Sequence, residues 1–408
     1  MSYDGIVIGG GPAGMFAAIH AAKQGKRILL LEKGPRLGKK LLITGKGRCN
    51  VTNDCDPKTV LQNIPRNGRF LYSSLFAYPP ERVKVFFEEN GCPLKTERGN
   101  RVFPVSDRSS SVLDALQSAM RRSGVTVQNK RVTDILVQDG CVTGVATGKE
   151  TIRADWVLIA TGGMSYPTTG STGDGYEFAR RLGHRIIPPE GSLVPLEAEP
   201  VCVRMQGLSL RNVAVKLVDC NGKQLFSDFG ELLFTHFGVS GPTVLSASAH
   251  LVPGACKLII DLKPGLDEAK LNDRILRDLQ MYRNRSMENA LTDLLPRSMI
   301  PVILDRLQID PTLQANSLNK QKRRELVSAL KNFTVQIHGK RPVEEAIITS
   351  GGVDVAQISP KTMESKLVSG LYFAGEVIDC DAYTGGFNLQ IAWSTAYTAA
   401  MAAVSADG

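Results

Sequence analysis

The sequence lacks any run near the roughly 18–20 consecutive apolar residues that a membrane span requires. Its apolar start at Ile6–Ile8 is broken at once by glycines and follows no basic leader, so neither a span nor a signal peptide is expected and the chain reads as cytoplasmic. Paired cysteines are missing too. Eight cysteines are scattered along the chain, none with Cys-x-x-Cys spacing, which argues against a zinc site or a thioredoxin-like redox pair and fits reduced thiols. His184 and His250 stand alone, the acids show no ligand spacing, and no metal is expected. A Gly-x-Ser-x-Gly elbow, a P-loop, internal repeats and low-complexity tracts are all missing.

What is present is an ordinary globular composition, 43% hydrophobic and 22% charged, over 408 residues, enough for two or three domains with their own cores. The net charge of +9 raises nucleic acid as a partner. Residues 26–50 hold eight of the basic residues (Lys26, Arg27, Lys33, Arg36, Lys39, Lys40, Lys46 and Arg48) against one acid, Glu32. An anionic cofactor explains that local excess more economically, so nucleic acid is set aside. A second basic stretch, with Lys320, Lys322, Arg323 and Arg324, lies in a segment 264–332 that mixes 12 basic with 9 acidic groups, and reads as a solvated helix face.

The chemistry starts at the N-terminus. An apolar run from Tyr3 to Ile8 leads into Gly9-Gly10-Gly11-Pro12-Ala13-Gly14. A helical pattern follows, with Met15, Ala18, Ile19 and Ala22 on one face and Gly25 at its end; a second apolar strand, Arg27–Leu31, then closes on Glu32. Gly9 permits the tight turn, Gly11 lets the backbone approach a diphosphate, and Gly14 lets helix and strand pack closely. The helix start offers free N–H groups and a positive dipole end to phosphate. Glu32 can accept from ribose hydroxyls and would repel a 2′-phosphate. The spacing predicts an α/β, Rossmann-like dinucleotide site.

The motif alone does not choose between FAD and NAD; three later segments do. Ala154–Ile159 is a strand running into Ala160-Thr161-Gly162-Gly163. Gly370–Ala374 is another, running into Gly375-Glu376 and Asp379. Gly385-Gly386-Phe387-Asn388-Leu389-Gln390 opens a small-residue helix over about 388–403. In this order they resemble the glutathione-reductase-like FAD superfamily. There the first segment runs beside the cofactor, the Gly-Glu/Asp segment binds its ribityl–phosphate part, and the last helix aims its start at the flavin pyrimidine edge, with the N–H groups of Asn388 to Gln390 as donors. Longer stretches narrow the match: Gly38 to Asn53, Gly162 to Tyr176, Leu233 to Pro242, Thr349 to Val353 and Gly370 to Trp393. Together they resemble the HI0933-like flavoproteins, also known as the BaiN/YhiN or aminoacetone-oxidase-family FAD-binding enzymes, over essentially the whole chain.

The resemblance implies a glutathione-reductase-type FAD-binding domain with an inserted β-barrel-like domain and a small helical subdomain. Pro188-Pro189-Glu190-Gly191, the short β-rich runs of 193–262 and the leucine periodicity of 267–331 agree. The expected boundaries are 1–190 with 346–408 for FAD, 191–263 with 333–345 for the β-rich part, and 264–332 for the helices. Lys33, Lys40, Gly47, Cys49, Asn50 and Val132 join the expected cofactor set, with FAD tightly bound. Arg48 is read as neutralising pyrophosphate or stabilising reduced flavin, and Cys49 as packing. His236, Tyr383 and Tyr166 are candidates for proton donation or carbonyl anchoring, each open to a purely structural role.

The family is linked both to reduction of double bonds in 3-oxo bile acids and to amine oxidation. The expected reaction is NAD(P)H-dependent reduction of an activated carbon–carbon double bond in a small organic substrate, because Gly170–Gly175 also resembles the Thr-Gly-Asp-Gly turn of fumarate-reductase-like flavoproteins. Lacking a second G-x-G-x-x-G, the chain would meet NAD(P)H only as a transient donor. A small-amine oxidase, a low-turnover FAD-binding redox protein and a nucleic-acid-modifying flavoprotein remain alternatives, and the oligomeric state is not legible.

Overall fold

The computed structural model describes residues 2–148 and 150–406. The chain divides into two units, Met1–Ser192 with Val343–Gly408, and Leu193–Pro342.

The first unit is built on a seven-stranded sheet. Six strands run in the order Thr126–Asn129, Ile28–Glu32, Ser2–Ile8, Thr151–Ile159, Cys141–Ala146 and Asp134–Gln138, and Leu371–Phe373 pairs with Thr151–Ile159. The first four strands and Leu371–Phe373 are parallel; the 134–146 hairpin is antiparallel. Parallel strands covered on both faces carry continuous apolar runs, and Ile28–Leu31 and Trp156–Ile159 are buried without a break. Register matters most here. Ile8 lies opposite both Leu31 and Ile159, and Ile159 lies opposite Phe373. The chain therefore leaves the sheet at Gly9, Glu32, Ala160 and Ala374 along one shared edge, the edge where open α/β sheets bind ligands.

The Pro12–Ala22 helix does not keep the one-sided pattern expected of it. Ala13 through Ile19, with Ala21 and Ala22, are all buried. The sheet covers one side and the Phe387–Ser405 helix the other, with the Phe16 and Trp393 rings 5.2 Å apart. Small residues all round the helix permit that sandwich. An excursion after the second strand adds the helices Pro57–Gln62, Tyr72–Ala77 and Pro80–Glu89, and a three-stranded antiparallel sheet of Thr52–Asn53, Arg101–Pro104 and Leu94–Glu97.

The second unit is a closed six-stranded antiparallel barrel: Leu196–Ala198, Gly238–Ser240, Gln224–Phe234, Ser209–Val218, Cys256–Asp261 and Phe333–Lys340, the last pairing back to the first. Helices Glu268–Met281, Met287–Ala290, Ile300–Arg306 and Lys320–Lys331 fill the 264–332 stretch. They share one core with the barrel: Leu271, Ile275, Leu326 and Leu330 pack in the same cluster as Val215, Leu258 and Val335. Among the described residues no helix is long and apolar enough to cross a membrane.

Candidate functional site

The site is the edge where the four strand ends converge. Gly9 turns at φ 109°, and a side chain there would fall 2.5 Å from the Ala160 carbonyl oxygen, so only glycine lets the two strand ends meet. A Cβ on Gly14 would lie 1.9 Å from the Gly9 oxygen, which fixes the close seat of helix on strand. Gly11 differs. Its φ of −80° suits any residue, and nothing lies within 4 Å of where its Cβ would be. The backbone there borders open space at a helix start that has Pro12 in its first turn, no side-chain cap and no acid. Free N–H groups at such a start, among them those of Ala13 and Gly14, are donors for phosphate oxygens.

Glu32 closes the other side. One carboxylate oxygen accepts from the Gly10 amide at 2.8 Å and the other from the Gly34 amide at 2.6 Å. Each oxygen keeps a second lone-pair direction for a sugar hydroxyl. The Thr161 hydroxyl, at the next strand end, is buried without a hydrogen-bond partner. An open glycine cradle, a braced carboxylate and an orphaned hydroxyl on one edge fit a dinucleotide such as FAD.

A second cluster brackets this edge. Segment 49–53 is stitched to the 387–405 helix. Thr52 Oγ1 donates to Gln390 Oε1 at 2.6 Å, Trp393 Nε1 donates to the Val51 carbonyl at 2.9 Å, and Asn53 Nδ2 donates to the Gly385 carbonyl at 3.0 Å. Gly386, at φ 97°, caps the helix so close to Thr52 that a Cβ would come within 2.4 Å of its backbone. The Asn388 side chain clasps the preceding loop, accepting from Ala382 N at 2.9 Å and donating to Ala382 O at 2.7 Å.

A model of the HI0933-like protein Rossmann domain matches residues 3–402. The chain belongs to the HI0933-like family. With that family goes its enzyme class, FAD-dependent oxidoreductase. The ribosomal RNA dihydrouridine synthase of Escherichia coli (strain K12) is 32% identical over 408 residues, spanning 99% of this chain and 98% of that one. The 3-dehydro-bile acid delta(4,6)-reductase of Clostridium scindens is 30% identical over 405 residues, spanning 97% and 98%. Among solved structures, the 3-ketosteroid delta1-dehydrogenase of Sterolibacterium denitrificans covers 99% of this chain and 100% of its own at a TM-score of 0.54 and 13% identity, a likeness of fold.

Several residues expected around the cofactor of this HI0933-like protein are engaged elsewhere. Arg48 lies over the Phe103 ring at 4.1 Å, pairs with Glu97, and donates from Nε to Asp107 at 2.9 Å. Its charge is met by two carboxylates, Glu97 and Asp107. Lys40 pairs with Glu376 at 2.7 Å, both side chains mostly buried, and also donates to Ser165 Oγ at 2.7 Å. Lys33 pairs with Asp174 at 2.8 Å, which ties the first sheet edge to the Thr172-Gly173-Asp174 turn. Four of the eight basic residues of 26–50, Arg27, Lys33, Lys40 and Arg48, are thus paired with acids from other segments.

Four further residues of the expected cofactor set have their side chain or amide engaged within the fold. The Cys49 side chain is sealed in the core, and burial pushes its thiol up to about 12, so it packs and lines no ligand surface. Val132 is likewise buried. Asp379 is almost fully buried and serves as a brace: Arg66 Nε lies 2.9 Å from it, and Asn67 Nδ2 donates to its carboxylate at 2.9 Å. Gln390 does not offer its backbone N–H, which bonds the Gly386 carbonyl at 3.0 Å. The helix begins one residue earlier than expected, so its free donors are Phe387, Asn388 and Leu389.

Asn50 Oδ1 accepts from Val102 N at 3.2 Å, which holds the loop against the small sheet. Gly47 (φ 83°), Gly162 (φ 75°) and Gly375 (φ 74°) are left-handed turn positions. A Cβ on Gly375 would sit 3.0 Å from that of Ala13, which brings the strand end at 374 onto the phosphate-facing helix start. Thr349 opens one of the stretches that carry the resemblance but had no role read for it: its hydroxyl accepts from Met164 N at 2.8 Å and Ser165 N at 3.0 Å and shapes the turn after Thr161. Among the candidate proton donors, Tyr383 is half-buried on the loop clasped by Asn388. Tyr166 is half-buried at φ 52°. His236 lies in the second unit, exposed at the tip of the hairpin joining Gln224–Phe234 and Gly238–Ser240, its ring 4.9 Å from that of Phe237.

Proposed function

We propose that this protein reduces a carbon–carbon double bond conjugated to a carbonyl, with NAD(P)H as the source of electrons. The observation that carries the reading is the pairing of two features at the 387–405 helix start. Its uncapped amides offer a positive dipole end, and the loop that carries the Tyr383 phenol is held to it by Asn388 Nδ2 donating to the Tyr383 backbone carbonyl at 3.3 Å. Reducing a conjugated alkene needs both kinds of group, a sink for negative charge and a nearby acid.

The two curated relatives named above support the same bond type. Dihydrouridine is uridine saturated at a double bond conjugated to a ring carbonyl. A delta(4,6) bond of a 3-dehydro bile acid is conjugated to the 3-oxo group. Their names share the chemistry and differ in the molecule that carries it.

FAD, when bound, supplies two-electron chemistry between a nicotinamide and carbon. The Ala13 and Gly14 amides would hold its diphosphate and Glu32 its ribose. The amides of Phe387 to Leu389 stabilise charge that develops opposite them. Tyr383 Oη would supply the proton that the α-carbon takes up. One NAD(P)H and one proton are consumed for each C=C converted to CH–CH.

The test is an anaerobic titration of the FAD-loaded protein, first with NADH or NADPH, then with cyclohexenone, a 3-oxo-Δ4 steroid or uridine. Bleaching by the nicotinamide and return of colour with an enone is the expected result. Bleaching by a small amine and by neither nicotinamide would overturn it in favour of an oxidase. Tyr383→Phe is expected to slow the return of colour about a hundredfold and leave bleaching unchanged.

A further inference from the structure

Four of the eight basic residues of 26–50 are held by acids, and a second basic stretch follows at 57–80. Residues 57–80 contain Lys58, Arg66 and Arg69 and no acid. Arg66 is committed to Asp379. Lys58 and Arg69 are exposed, and among the described residues no hydrogen bond or ion pair engages either side-chain cation.

The same segment exposes two large aromatics. Tyr72 is 53% and Phe76 41% accessible, one helical turn apart, with rings stacked at 4.4 Å and 26°. Beside them runs a groove of about 520 Å³ lined by Leu61, Ile64, Pro65, Gly68, Arg69 and Tyr72. Flat aromatic faces open to solvent beside unpaired cations are the combination that holds single-stranded nucleic acid; the nearest acid in sequence, Asp56, is occupied by the amides of Lys58 and Thr59.

The platform is fastened to the proposed reaction site. Asn67 Nδ2 donates to the Asp379 carbonyl at 2.6 Å, and Tyr383 N donates to the Asn63 carbonyl at 3.0 Å. A chain docked on 58–76 is therefore anchored to the loop that carries Tyr383.

We propose that the Lys58–Phe76 face is a docking platform for a single-stranded RNA segment, with bases stacking on Tyr72 and Phe76 and phosphates met by Arg69 and Lys58. The proposal rests on the reductase reading, for it names the class of molecule that presents the conjugated double bond. The test uses the FAD-loaded full chain and a fluorescently labelled, uridine-rich single-stranded RNA, followed by anisotropy from about 50 to 200 mM salt.

Tyr72→Ala with Phe76→Ala is expected to weaken binding at least about tenfold. Arg69→Gln is expected to lower the slope of log affinity against log salt by about 0.7. Both variants should keep wild-type bleaching by NAD(P)H and wild-type reduction of free cyclohexenone, which shows that the fold and the flavin site are intact. No RNA binding by the wild-type protein, or unchanged binding by the double variant, overturns the platform. So does binding of sodium cholate that the double variant loses while RNA binding persists. Loss of enone reduction in the wild-type protein, with RNA still held through Tyr72 and Phe76, would instead defeat the reductase reading and leave the platform standing.

Discussion

The carboxylate of Glu32 accepts the amide hydrogen of Gly10 at 2.8 Å, joining the end of the second strand to the glycine turn after the first. The same oxygens that brace the turn are those available to a ribose, so assembly of the turn and recognition of the sugar are coupled. Glu32→Ala should weaken FAD binding by about 1.5–3 kcal/mol, the range for hydrogen bonds to a charged group. Fluorescence titration of the apoprotein with FAD measures it.

Gly11 and Gly14 separate folding from binding. A methyl group on Gly11 enters open space, so Gly11→Ala should keep the wild-type melting temperature while FAD affinity falls at least about tenfold. A methyl group on Gly14 meets the Gly9 oxygen at 1.9 Å, and backbone cannot step aside as a side-chain end can. Gly14→Ala should cost at least about 3 kcal/mol of stability. Thermal melts with and without FAD distinguish the two.

Lys40 and Glu376 test a strut. Among the described residues, Lys40→Met leaves the Glu376 carboxylate with only Ser165 Oγ and Thr349 N as donors. A loss of about 2 kcal/mol is expected from urea unfolding, with part of it restored in Lys40→Met/Glu376→Gln because the orphaned charge is gone.

How much of this was legible depended on distance along the chain. The Gly9–Gly14 turn and Glu32 could be read directly, because their spacing within one βαβ unit is itself the geometry. Arg48 could not. Its carboxylate partners lie 49 and 59 residues away, and nothing near it distinguishes a cation awaiting phosphate from one already paired. Lys40 and Glu376, separated by 336 residues, were each read as part of the cofactor set, and their pairing with one another left no mark in either local sequence. The exposed Tyr72–Phe76 pair was invisible for a different reason: aromatic residues at helical spacing read as core until burial is known.

His20 carries a pH signature. Burial, reinforced by Lys23 and Arg82, lowers its pKa from 6.5 to about 3 within a ring of Phe16, Tyr78, Phe86 and Tyr397. The folded state holds it neutral while the unfolded chain protonates it below 6.5, so its contribution is fully present above pH 6.5 and is lost as pH falls toward 3. His20→Phe should gain about 2 kcal/mol relative to wild type at pH 5 compared with the same difference at pH 8. Denaturant midpoints of both proteins at the two values check it.

The Phe387–Ser405 helix covers Phe16 on the first helix and borders the nucleotide edge, yet a ribosome makes it only after the whole 193–342 unit has emerged. Until then the nascent first half has its glycine turn but neither its roof nor the donors at 387–389. Cofactor loading is therefore a late event in biogenesis, and a chain stalled before residue 387 would present a bare apolar helix to chaperones and proteases.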